Sequence, residues 1–153
     1  MGTHFAKTVF SIAEREDLCV TRKRNQRRSA TVAVAVLGIG GLGYNLIEIL
    51  WRGRTHWSMT VAGGICLYLL YTIYGWMGRG RAAVKCLTSA LVITAVEFLV
   101  GCAVNLWMKL NVWDYSAEPW NVHGQICLTY SFFWLLLGIP CDFLCRKIKK
   151  ILA

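Results

Sequence analysis

Four apolar blocks of about 20 residues each constrain this 153-residue chain more than any other feature. At 1.5 Å per residue, a helix of that length crosses roughly 30 Å of hydrocarbon. The blocks fall at residues 31–51, 57–77, 87–108 and 122–145. A bilayer core offers no water to backbone N–H and C=O groups, so each block must be helical; spanning strands would be half as long and would alternate apolar with polar positions. Composition agrees, with 56% hydrophobic and 16% charged residues against about 45–50% and about 25% in soluble domains. With 12% aromatic residues and two prolines, disorder and low complexity are excluded. The expected fold class is all-α: a polytopic membrane protein with four transmembrane helices arranged as two hairpins.

Three regions follow: a basic N-tail at 1–29, the bundle at 30–146 and a basic C-tail at 147–153. Fourteen Lys and Arg lie in the two tails, at Arg146 beside the C-tail and in the loop between the second and third spans, against three (Arg52, Arg54, Lys109) on the other side. By the positive-inside rule, both termini are expected in the cytoplasm of a multi-pass cell-membrane protein. Five of the seven Trp (Trp51, Trp57, Trp107, Trp113, Trp120) sit at or near the opposite ends of the spans, as an interfacial aromatic belt requires. About thirty residues precede the first apolar run, and that run is longer than an h-region, so the segment reads as an uncleaved signal-anchor. The start MGTHFA lacks the Ser or Thr at position six of a myristoylation signal.

Clustered charge at Arg22, Lys23, Arg24, Arg27 and Arg28 neutralises phosphates of any kind. Placed immediately before a span, it is expected to hold anionic lipid headgroups, and nucleic acid is not expected as a partner. Upstream, Phe5, Val9 and Ile12 have the spacing of a short helix lying on the membrane. The seven Cys lie mostly in or beside spans and read as small apolar filler, with palmitoylation at the membrane edge as the alternative. Gly38, Gly40 and Gly43 match G-x-G-x-x-G, but without a βαβ context they read as close helix contacts. No Walker motif occurs, so ATP hydrolysis, if any, would come from a separate subunit. Neither a cofactor nor a metal is expected: Asp114, Glu118 and His123 fit no standard zinc or calcium spacing.

Polar residues inside the blocks are the most informative. A mid-bilayer carboxylate costs at least roughly 2.5–3.5 kcal/mol, so it calls for a partner, a cavity, a proton or a function. Glu97 lies near the middle of the third span, with Gly101 and Asn105 one and two turns along the same face. Two readings of Glu97 stand: a carboxyl that joins helices, or one lining a cavity that binds a cation, a proton or an amine. In the first span Gly41, Asn45, Glu48 and Arg52 form a similar stripe, with Glu48 able to reach Arg52 at i+4. Asp142, close to Arg146, reads as structural. In the loop from Lys109 to Asn121, Trp113, Tyr115 and Trp120 are expected against the membrane interface, with Asp114 or Ser116 satisfying backbone donors locally. Residues 63–68 (GGICLY) and 124–129 (GQICLT) suggest a weak internal duplication.

The stretches at residues 43–59, 97–107, 111–116 and 124–128 together resemble the CmpB-like, type IV family of bacterial ABC-transporter permeases. The resemblance spans about residues 40–140 and implies a small polytopic membrane protein, mostly of Gram-positive bacteria, with a transport role. Glu48, Arg52, His56, Trp57, Glu97, Gly101, Asn105, Trp113, Asp114, Tyr115, Asn121, Gly124 and Gln125 are the positions at which this chain carries the family pattern. The expected function is thus a permease-like component without enzymatic activity. Its site would comprise Glu97 and Asn105 in a cavity, with Glu48, Asn45, Arg52, Asp114, His123 and Gln125 towards the outer side. The alternative is a membrane interaction or assembly protein. Four spans make a narrow bundle, so a homo-oligomer or a partner membrane subunit is expected in addition to lipid.

Overall fold

The computed structural model describes residues 2–78 and 80–152, with side chains described from Gln26 onward. The helices are α1 (Gly2–Arg52), α2 (Trp57–Met77), α3 (Ala82–Gly101) and α4 (Leu128–Leu152). Four helical stretches are long and apolar enough to cross a membrane: Gln26–Arg52, Trp57–Met77, Ala82–Trp107 and Leu128–Leu152. The chain divides into two compact units, Met1–Val34 and Ala35–Ala153. In the first, Arg27 and Arg28 are exposed, and the Arg27 carbonyl accepts from Thr31 Oγ1 at 3.0 Å. Arg22, Lys23 and Arg24, and the expected interfacial helix around Phe5, Val9 and Ile12, lie outside the residues whose side chains are described.

In the second unit, α1 and α2 meet backbone to backbone. A Cβ on Gly40 would lie 2.5 Å from the Gly63 carbonyl oxygen, and one on Gly63 would lie 2.3 Å from Tyr44 Cβ. No larger residue fits either position, which is how small residues let helices approach in lipid. Gly38 and Gly43 have open space beside them, so only part of the glycine run makes this contact. α1 ends at Gly53 (φ 68), and the next helix is capped by His56, whose Nδ1 accepts from Ser58 N at 3.3 Å. α3 packs along α4, where a Cβ on Gly138 would come within 2.7 Å of Cys86 Cα.

Two boundaries differ from the hydropathy pattern. α3 begins at Ala82 and takes in Lys85, only 3% exposed, because its ammonium lies 2.8 Å from Asp142 Oδ1. α4 begins at Leu128, six residues beyond the expected 122. The intervening residues instead form a two-stranded antiparallel ribbon, β1 (Asn121–Val122) and β2 (Ile126–Cys127), pairing Asn121 with Cys127 and Val122 with Ile126. His123 (φ 52) and Gly124 (φ 68) make its turn, and a left-handed pair cannot continue a helix. The same ribbon removes the apparent duplication: residues 63–68 lie inside α2, whereas 124–129 pass from a turn through β2 into α4. α3 is prolonged by a π-helical turn, Cys102–Trp107, in which Met108 N donates to Ala103 O at 2.9 Å. Wider turns of this kind re-aim side chains and recur at functional sites.

Candidate functional site

Glu97 points into the bundle and is 3% exposed. Its Oε1 accepts from the Tyr44 hydroxyl of α1 at 2.9 Å and its Oε2 from Trp134 Nε1 of α4 at 2.7 Å. Among the described residues Glu97 forms no ion pair. Its two donors are neutral, and each carries a large ring whose position the carboxyl therefore fixes. The Tyr44 and Trp134 rings lie 6.0 Å apart, centre to centre.

Those rings form part of the wall of a cleft of about 430 Å³ between α1 and α4. Tyr115 and Tyr130, stacked at 4.5 Å, and Phe133 continue the aromatic wall, and Glu48 and Arg52 stand at its rim. The volume is within the roughly 300–1,000 Å³ of small-molecule sites, and the lining has their mostly apolar character with a few placed polar groups. Leu136 and Pro140 close the other end. Pro140 has no N–H to offer the Leu136 carbonyl, which loosens the helix ladder beside the cleft. Glu97 does not line the space; it stands behind Tyr44 and Trp134.

At the rim, Arg52 Nη1 meets Glu48 Oε1 at 2.9 Å, and Arg52 Nη2 donates to Val112 O at 2.8 Å. This guanidinium thus joins the end of α1 to the long loop. Glu48 and Arg52 also wall a second, polar recess of about 250 Å³, completed by Arg54, Thr55, His56 and residues 110–112. One turn back along α1, Asn45 donates to Thr60 Oγ1 of α2 at 2.9 Å and accepts from Thr55 Oγ1 of the intervening turn at 3.0 Å.

Asn105 and Gln125 serve as the seat of the loop. Asn105 Nδ2 donates to Gln125 Oε1 at 2.8 Å and to Trp113 O at 3.0 Å, while Asn105 Oδ1 accepts from Val112 N at 2.7 Å. Trp113 Nε1 donates to Gln125 O at 3.0 Å, and Gln125 Nε2 to His123 O at 2.9 Å. The gap left by Gly101 is filled by this latch: a Cβ there would lie 2.6 Å from Gln125 Oε1 and 3.0 Å from Trp113 Cζ2. Trp113 is accordingly 4% exposed, buried under the loop instead of lying at the interface, whereas Trp120 is 82% exposed.

Asp114 and His123 are both exposed and line neither space. The Asp114 carboxylate accepts from the Ser116 hydroxyl and backbone N–H, and these bonds hold its pKa below the usual carboxylate value. Burial pushes the Tyr115 phenol up, so the ring at the cleft wall stays neutral. Of the residues singled out in the sequence, the structure therefore brings Glu48 and Arg52 to the cleft and puts Glu97 behind it. It uses Asn45, Asn105 and Gln125 to fasten helices and loop. Tyr44, Trp134, Tyr130, Phe133 and Arg54 were not singled out in the sequence, whereas Tyr115, a family-pattern position expected against the interface, lines the cleft. A signal existed for Trp134, a mid-span Trp whose N–H needs a partner away from the interface, and for Tyr44, one turn from Glu48.

A model of the family described as putative ABC-transporter type IV matches residues 34–152. No curated protein and no solved structure matches the chain. With all but the N-terminal segment covered, the chain belongs to the putative ABC-transporter type IV family.

Proposed function

We propose that this family member is the membrane-embedded, substrate-handling part of a permease, and that the α1–α4 cleft is where its substrate sits. The observation that carries this reading is the aromatic cleft of about 430 Å³ with an ion pair at its rim, opening between two helices of the bundle. A side chain used only for packing would fill that space. Orientation follows from the fourteen-to-three distribution of Lys and Arg, which puts the loop end outside and both termini in the cytoplasm of a bacterial cell membrane. Hydrolysis of ATP falls to a separate subunit, and no catalytic step is assigned to this chain. A translocation path enclosed by four helices requires a second copy or a partner membrane subunit.

The second reading, a membrane assembly protein without transport, is favoured by one observation: both Glu97 oxygens are occupied by neighbouring helices, as in a joint. A ligand screen on the purified full chain by thermal shift separates the two, with Leu136→Trp as control. Leu136 is 47% exposed and lines the cleft, so a larger ring fills the space without crowding the core. Compounds that stabilise the wild type and not Leu136→Trp support the transport reading. Equal responses of both proteins to every compound, together with loss of partner pull-down in Leu136→Trp, support assembly instead.

A further inference from the structure

We infer that the cleft and the polar recess beside it form one site for a lipid with an anionic headgroup, its acyl chain in the cleft and its acidic group at Arg54 and His56. The inference rests on the cleft reading above and names the ligand class. The two spaces share Glu48 and Arg52 as a common wall, one side of which is apolar and aromatic and the other polar. Along α4 the cleft runs from Tyr130 to Pro140, about 15 Å at the helical rise, which is the depth of one leaflet in a hydrocarbon core of about 30 Å. Arg52 is the last residue of α1, so the recess stands where that helix leaves the hydrocarbon. An apolar slot one leaflet deep beneath a polar recess is the vertical layout of a lipid molecule.

Charge selects the headgroup. Glu48 and Arg52 neutralise one another at 2.9 Å, leaving Arg54, which is exposed and, among the described residues, forms no ion pair. His56 adds a polar ring to the recess wall: its Nδ1 is engaged by Ser58, whose backbone N lies at 3.3 Å and Oγ at 2.8 Å, which leaves Nε2 for a ligand. A surplus cation with a polar ring beside it favours a phosphate or carboxylate head over a zwitterionic or cationic one.

The test is native mass spectrometry of the full chain in detergent, titrated with phosphatidylglycerol and with phosphatidylcholine of identical acyl chains, with inorganic phosphate as competitor. The expected result is tighter binding of phosphatidylglycerol by about fivefold, the equivalent of one arginine contact. Arg54→Gln, at an exposed position, abolishes that preference, and Leu136→Trp weakens both lipids. A preference that survives Arg54→Gln, or equal affinity for the two lipids, overturns the anionic class while leaving the cleft reading in place. Phosphate displacing phosphatidylglycerol at equal concentration overturns the acyl component. Binding of both lipids unchanged in Leu136→Trp overturns the cleft reading itself. Phe133→Trp, a second cleft-filling change at a 42% exposed position, is read in the same way should Leu136→Trp not assemble.

Discussion

Of the three buried carboxylates among the described residues, Glu48 pairs with Arg52 along its own helix, and the other two are handled in opposite ways. Asp142, 9% exposed, meets two cations, Lys85 at 2.8 Å and Arg146 at 3.1 Å. Glu97, 3% exposed, meets only the neutral O–H of Tyr44 and N–H of Trp134. The first arrangement clamps α3 to α4 by charge, and Tyr74 reinforces it by donating to the Lys85 carbonyl at 2.8 Å and pairing with Ser89. The second ties α3 to two aromatic rings that face a cleft. Compensation by charge closes one end of the bundle, whereas compensation by aromatic donors shapes an open wall at the other.

Breaking the charged end should have the largest effect. Lys85→Met leaves Asp142 buried with only the mostly exposed Arg146, and we expect a loss on the order of 3 kcal/mol in denaturant titrations of the detergent-solubilised protein. The double change Lys85→Met with Asp142→Leu should recover most of it, since it removes both charges together. Equal losses in the single and double variants would mean that packing, not charge, holds this end.

At the loop end, Gly101→Leu should cost about 1–3 kcal/mol, because even its Cβ meets Gln125 and Trp113. Hydrogen exchange of residues 109–127 should rise while that of α2 stays unchanged. Protection retained throughout that loop would show that the latch lies elsewhere.

Glu97→Gln should cost about 1 kcal/mol, since the amide can accept from Trp134 and donate to the Tyr44 oxygen. Ligands of the cleft should still bind to it. Glu97→Leu strands both donors, so it should lose more stability and weaken those ligands as the rings shift. If Glu97→Gln abolishes binding as completely as Glu97→Leu does, Glu97 acts through its charge and the comparison with Asp142 fails.

The smallest effect belongs to Asp114, whose pKa is lowered by the Ser116 hydroxyl and amide. A depressed carboxylate contributes fully above its unfolded value of about 3.9 and loses that contribution as pH falls through its folded value. Ser116 exchange, corrected for its intrinsic pH dependence, should therefore rise only in that acid window, and Asp114→Asn should remove the step.

How much of this was legible beforehand depends on whether a neighbour lay on the same helix. Glu48 with Arg52 was readable, because an i+4 spacing puts the two on one face whatever surrounds them. The stripe Glu97, Gly101, Asn105 was readable as a face, but not as two different things, a carboxyl holding ring donors and a seat for a loop. Lys85 reads from the sequence as a loop cation, since nothing local announces a carboxylate 57 residues away.

The sequence by itself determined the number of helices long enough to span a membrane, because backbone groups in hydrocarbon have no solvent to turn to and only uninterrupted apolar helices satisfy them. It also marked a glycine run in α1 as a place of close helix contact, of which Gly40 makes the contact and Gly38 and Gly43 do not. Tertiary structure alone decided what compensates Glu97, with Tyr44 53 residues away and Trp134 37. It also decided where the fourth span begins and that a cleft separates α1 from α4. Periodicity fixes which face a side chain occupies, but the helix brought against that face is set by packing among all four, which no local spacing encodes.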